Sequence, residues 1–207
     1  MKTFSILAIL LLTVSLAFSQ GSTDKDTLNY TEAIKIARQK KDEEFRTDAL
    51  SAITQEARKD FRGLNYFYPD SSYRVIASLK KYDNPFHFRM KTTTDRLPEY
   101  ALYGKATFVL KGQEMSLNVY QNVELLKKPG YQNYLFIPFN DSTNGVETYG
   151  GGRFIDGENT GRETILLDFN TAYNPYCAYN HKYSCPIPPE ENSLPVRIEA
   201  GEKKWHD

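Results

Sequence analysis

Two stretches of the chain concentrate side chains able to do chemistry. In the first, Leu135–Phe154, an apolar run leads into a loop carrying Asp141, Thr143, Asn144, Glu147, Thr148, Tyr149 and Arg153 among four glycines. Polar groups mounted at the end of a rigid strand are what orient a ligand. The backbone N–H groups of Gly150, Gly151 and Gly152 could face an anion, and Arg153 adds a planar bidentate donor. A phosphate-binding loop needs a lysine and a following helix, whereas this triplet runs into Phe154 and Ile155, so a nucleotide site is not supported. The competing reading is turn chemistry, with Asp141 and Glu147 taken up by ion pairs or backbone hydrogen bonds.

The second stretch, Leu167–Asn192, sets Asp168, Asn170, Asn174 and Asn192 among aromatic residues and prolines. Prolines hold a loop extended at low entropic cost, which steadies polar side chains without regular structure. Cys177 and Cys185 leave three readings open. In an exported protein the default is a disulfide closing a short loop, worth about 2.5 kcal/mol from chain entropy. A metal site with His181 lacks a fourth ligand at the usual spacing. A catalytic thiolate would use His181 or His87 as its base. His87, between Phe86 and Phe88, reads equally well as an ordinary strand residue.

Taken together, Asp141, Glu147 and Asp168 are the candidate catalytic carboxylates. Thr143, Tyr149, Arg153, Asn170, Tyr173 and Asn174 are the candidate ligand-binding groups. Hydrolysis through an activated water requires two carboxylates close enough to drive their pKa values apart. The expected function is therefore an exported small-molecule-binding protein, with hydrolase-like chemistry if the carboxylates converge. The alternative is a non-catalytic module for a sugar, peptide or anion, for which 15 Tyr and 12 Phe supply stacking surface. Neither reading points to a cofactor or a metal.

The elements that must position these groups are mostly strands. Aromatic and β-branched runs punctuated by Gly, Pro, Asn and Asp predict strands at Tyr73–Leu79, Phe86–Met90, Leu102–Leu110, Met115–Gln121, Tyr134–Pro138, Arg153–Ile155, Thr164–Phe169 and Pro195–Ala200. Gly104–Leu110 and Met115–Gln121 alternate in register around Lys111-Gly112, which predicts a hairpin. Upstream, Asn29 with Glu32 resembles a capping box before a mostly solvated helix, and a second helix is predicted from Thr54 to Phe61, stopping at Gly63. No helix is long enough for crossovers in a parallel sheet. The expected fold is mainly β, an antiparallel barrel or sandwich-like meander with one or two N-terminal helices packed on it.

At the N-terminus, Lys2 precedes the apolar run Phe4–Phe18, with small Ala17 and Ser19 before Gln20. The run is short for a membrane span and suits a signal peptide cleaved after Ser19. The expected organisation is a signal peptide at 1–19, a flexible leader at 20–28, helices at 29–63 and a β domain at 64–207. After processing no integral membrane segment is expected, and the location is periplasmic or secreted. Charge limits the partners further. The sequence holds 26 Lys+Arg against 26 Asp+Glu, and no basic cluster compensates. Nucleic acid and anionic membrane surfaces are therefore not expected as partners on electrostatic grounds.

The ordered residues also form a longer pattern. It comprises Phe61 to Phe67, then Phe139 to Phe154 with Asp141, Thr143, Asn144, Gly145, Glu147, Thr148, Tyr149, Gly152 and Arg153. It continues through Asp168, Asn170 and Tyr173, Pro175 and Cys177 to Cys185, Pro188, Pro189, Asn192 and Leu194, and ends at Ala200-Gly201-Glu202. This closely resembles the bacterial domain-of-unknown-function family 1684 over most of the chain after the leader. The resemblance brings no activity. It implies that both polar stretches belong to one module, and that the cysteine pair also occurs in members without an export signal, which weakens the disulfide reading. Phe154 stands where the family more often has Tyr, so no hydroxyl role carries over there.

Overall fold

The computed structural model describes residues 21–205. The expected signal peptide, with its cleavage point after Ser19, lies outside the described residues. A long helix, α1 (Gly21–Thr47), is followed by a short one, α2 (Gln55–Lys59). Six strands follow: β1 (Arg74–Arg89), β2 (Glu99–Leu110), β3 (Gln113–Asn122), β4 (Tyr134–Phe139), β5 (Arg153–Glu158) and β6 (Thr164–Asp168). They form one antiparallel sheet in the order β5-β4-β3-β2-β1-β6. The sheet curls into a nearly closed barrel. Its two edge strands approach at Gly157, where a methyl group would fall 2.9 Å from the Ile165 side chain, but no ladder joins them.

The predicted hairpin is present. Leu110 pairs with Gln113 around Lys111 (φ 51°) and Gly112 (φ 76°). Two left-handed residues at the centre make the turn whose twist matches the strands it joins. Ala106, Phe108 and Leu110 face inward with Met115, Leu117 and Val119, and all six are buried in the main core. Burying one such side chain contributes about 1.5–3 kcal/mol.

Three elements differ from expectation. The two strands expected around Asp83-Asn84-Pro85 are one strand, β1, whose register against β2 slips between Lys81 and Phe86. Pro85 cannot donate to a ladder, and a bulge absorbs it without ending the strand. Secondly, the chain is already helical at Gly21, the first described residue, upstream of the expected start at Asn29, so Asn29 and Glu32 lie within α1. Thirdly, Pro195–Ala200 is not a strand. The Ile198 amide and the Ile198 and Ala200 carbonyls bond to the buried side chains of Asp141 and Arg153, and the Val196 carbonyl accepts from the Ser142 amide at 3.0 Å.

α1 is held by polar contacts as well as by Phe45, which packs with Phe61 and Tyr179 in a cluster separate from the barrel core. Tyr30 Oη donates to Asp168 at 2.8 Å, Arg38 to the Phe67 carbonyl at 2.8 Å, and Lys41 to Glu202 at 2.5 Å. Asp42 accepts from the Leu64 amide at 3.0 Å. Among the described residues no helix is long and apolar enough to cross a membrane.

Candidate functional site

The glycine-rich loop folds around Asp141. One carboxylate oxygen accepts from the Thr143 amide at 2.8 Å, the Thr143 hydroxyl at 2.6 Å and the Ile198 amide at 3.2 Å. The other accepts from Arg153 Nη2 at 2.8 Å. Thr143 and Thr148 share a hydroxyl contact at 2.9 Å, and Asn144 donates to Asn140 at 2.9 Å. Gly152, at φ 85°, has no room for a side chain: a methyl group would lie 2.5 Å from Pro188 and 2.8 Å from the Phe139 carbonyl. The glycine at this position is required by backbone conformation and by the close approach of the cysteine loop.

Arg153 is fully enclosed, with Phe139 stacked beneath its guanidinium at 5.3 Å. Besides Asp141, it donates to the carbonyls of Ile198 at 2.8 Å and Glu202 at 3.2 Å, and to that of Ala200. Burial lowers its pKa while Asp141 opposes that shift. The expected anion clamp is in this geometry a pin that fastens the C-terminal segment, residues 193–202, across the barrel end. The same pin explains why Pro195–Ala200 forms no strand.

The other predicted residues are dispersed. Glu147 is half-buried and paired with Arg197. Asp168 accepts from Tyr30 and from the Asn170 amide at 3.0 Å, with Arg74 at 3.7 Å. Asn170 bonds both backbone groups of Asp70, at 2.9 and 2.8 Å. Asn174 donates to the Lys203 carbonyl at 2.8 Å. Asp141, Glu147 and Asp168 thus each have their own protein partners and do not converge on one recess.

The two stretches nonetheless meet. Phe154 and Tyr173 exchange backbone hydrogen bonds at 2.9 and 3.0 Å, and Tyr149 Oη lies 3.7 Å from Cys177 Sγ. Beside this junction opens a recess of about 420 Å³ walled by Phe154, Tyr173, Tyr176 and Tyr183, with Lys41, Asp156, Ser184 and Cys185 at its polar positions. Asp156 Oδ1 accepts from Tyr134 at 2.6 Å and from Tyr173 at 2.7 Å. Burial, then the Asp156 charge, raises the pKa of both tyrosines, so they remain neutral donors. Lys41 overhangs the Tyr173 ring at 4.9 Å.

Cys177 and Cys185 are free thiols, not the expected disulfide. The Cys177 amide donates to Cys185 Sγ at 3.2 Å. The hydrogen bond from the Cys185 thiol, followed by that from Tyr149, lowers the Cys177 pKa to about 6; the same bond and burial raise that of Cys185. His87 lies elsewhere, bonded to Glu99 at 2.8 Å. Among the described residues no group of three potential metal ligands converges.

Sequence reasoning missed Lys41, Asp156 and the buried Glu202, which accepts from Lys41, the Asn174 amide at 2.7 Å and Tyr179 at 2.5 Å. A signal for Lys41 exists in the spacing of Ile34, Arg38, Lys41 and Phe45, which fall on one helical face.

The family model described as "Protein of unknown function (DUF1684)" matches residues 59–203. The chain belongs to this family. The match includes both polar stretches and the C-terminal pin, and it starts after α1. The solution NMR structure of an uncharacterized protein from Haloarcula marismortui is similar, with a TM-score of 0.66 and 36% identity, covering 87% of this chain and 97% of that one. No curated protein matches the chain.

Proposed function

We propose that this DUF1684 chain is an exported, non-catalytic binding protein for a small ring-bearing polyol with the chemistry of a sugar. The observation that carries the reading is the recess where β5 meets the cysteine loop. Four aromatic rings stand around it, and the Asp156 carboxylate is held at its edge by two tyrosine hydroxyls. Aromatic faces accept the C–H face of a sugar ring, while a fixed carboxylate accepts from its hydroxyls. Binding is favoured over hydrolysis because Asp141, Glu147 and Asp168 are tied to Arg153, Arg197 and Tyr30 respectively. A pair of carboxylates sharing one substrate is what glycoside hydrolysis requires.

Export rests on the N-terminal pattern of Lys2, the apolar run and Ala17-x-Ser19. The secreted fraction should contain a chain beginning at Gln20; a full-length chain confined to the cytoplasm would overturn that part. For the ligand, the test is a thermal-shift screen against mono- and oligosaccharides with wild type, Asp156→Ala and Tyr176→Ala. A saccharide should raise the wild-type Tm by a few degrees, as preferential binding to the native state does, and both variants should lose the rise. No stabilising saccharide, or a rise that survives both substitutions, overturns the reading.

A further inference from the structure

Outside the binding reading, the cysteine pair is left with chemistry of its own. Both thiols are buried, at 3% exposure for Cys177 and 7% for Cys185, yet Cys185 also lines the open recess. The loop that carries them is fixed on both sides. The Thr93 amide donates to the Cys185 carbonyl at 2.9 Å, the Cys185 amide to the Thr93 hydroxyl at 3.2 Å, and Arg96 holds the Ser184 carbonyl at 2.7 Å. Within that frame the Cys177 amide reaches Cys185 Sγ, and Tyr149 presents its hydroxyl to Cys177 Sγ.

We propose that Cys177 and Cys185 form a peroxide-oxidisable dithiol in which Cys177 attacks and Cys185 resolves. The Cys177 thiolate attacks one oxygen of hydrogen peroxide: an S–O bond forms, the O–O bond breaks, and hydroxide leaves and is protonated to water. Cys177 is then a sulfenic acid. The Cys185 sulfur, giving up its proton, attacks the Cys177 sulfur; the S–S bond forms, the S–O bond breaks and a second water leaves. Two thiols are oxidised to one disulfide and one peroxide is reduced to two waters. The arrangement suits these roles. Tyr149 Oη stands 3.7 Å from Cys177 Sγ, placed to donate to a thiolate there, and the hydrogen bond from Cys185 acts in the same direction; thiolate, not thiol, is the nucleophile. The partner thiol is already in contact, so the sulfenic acid is captured before further oxidation.

The experiment uses the full chain, reduced and then treated with hydrogen peroxide. Thiols are alkylated at intervals and the intact mass is read. Wild type should lose both alkylatable thiols together, with loss of two hydrogens from the intact mass, and dithiothreitol should restore them. Cys185→Ser should stop with one added oxygen, trapped by dimedone at Cys177. Cys177→Ser should slow thiol loss about tenfold or more. Tyr149→Phe keeps both sulfurs and the ring, and should slow the first step several-fold. The proposal is overturned if wild type keeps both thiols under conditions that oxidise free cysteine. It also fails if Cys177→Ser reacts as fast as wild type, or if oxidation yields only linked dimers. None of these measurements requires a saccharide, so this result and that of the ligand screen are independent.

Discussion

Arg153 and Asp141 face each other with both side chains fully enclosed, and between them they hold three carbonyls and one amide of the segment Ile198–Glu202. Removing one partner leaves the other charge buried without compensation. Asp141→Asn or Arg153→Met should each lower stability by about 3–5 kcal/mol, read as a fall in the urea midpoint. If either variant unfolds at the wild-type midpoint, the pair is not the pin described. The residue types were legible in the sequence as a dense polar loop, and so was the alternative of turn chemistry. What faces that loop was not, because Ile198 lies 45 positions from Arg153 and only the fold brings its carbonyl there. Cys177 allows a pH prediction at the same scale. Its pKa is lowered, chiefly by the hydrogen bond from Cys185, so thiolate formation moves to lower pH than in a free cysteine. Cys185, Tyr149 and the Thr93 hydroxyl face it, while Arg96 and Tyr100 act on Cys185. The alkylation rate of Cys177 in Cys185→Ala should shift to higher pH, because the largest cause of the lowering is gone. In wild type the rate should rise through pH about 6 and level off. A wild-type rate still climbing above pH 8, toward the ordinary cysteine range of about 8.5, would contradict the thiolate.

Strand pairing between β3 and β4 is thin, with the single register pair Tyr120↔Phe136. Asn192 bridges the gap beside it. Its carbonyl accepts from the Asn118 amide at 2.8 Å, and its amide group donates to the Asn118 and Pro138 carbonyls at 2.9 and 2.7 Å. Pro138 has no N–H to give, and a side-chain carboxamide takes the place of a ladder rung there. Asn192→Ala strands those backbone groups and should cost about 2–4 kcal/mol, measured by urea unfolding. A loss under about 0.5 kcal/mol, the level of a neutral surface change, would show that water replaces the carboxamide. Elements were largely readable from the chain where local chemistry decides them. Lys111-Gly112 and the alternating apolar residues around it specify their hairpin without outside help. The single strand across Pro85 and the unpaired course of Pro195–Ala200 were not readable, because the first depends on β2 continuing alongside and the second on Arg153.

At the level of the whole molecule, the first helix and the last segment are joined through Lys41 and Glu202 over one face of the barrel. Glu202 is 1% exposed and Lys41 28%, so the pair is partly solvated and weaker than a fully enclosed one. Lys41→Met should destabilise by about 1–3 kcal/mol, and adding Glu202→Gln should recover part of that loss. Additive effects in this double-mutant cycle would mean that the two ends are not coupled. The barrel seam has a further consequence. β5 and β6 follow one another in the chain but stand at opposite ends of the sheet order, so the exposed turn around Gly161 crosses the seam where no ladder does. Severing that turn breaks no rung. Two separately made fragments, one ending near Thr160 and the other starting near Arg162, should find each other in solution and reassemble, because the shorter piece brings β6, the cysteine loop and the segment that Arg153 pins to partners already laid out on the longer one.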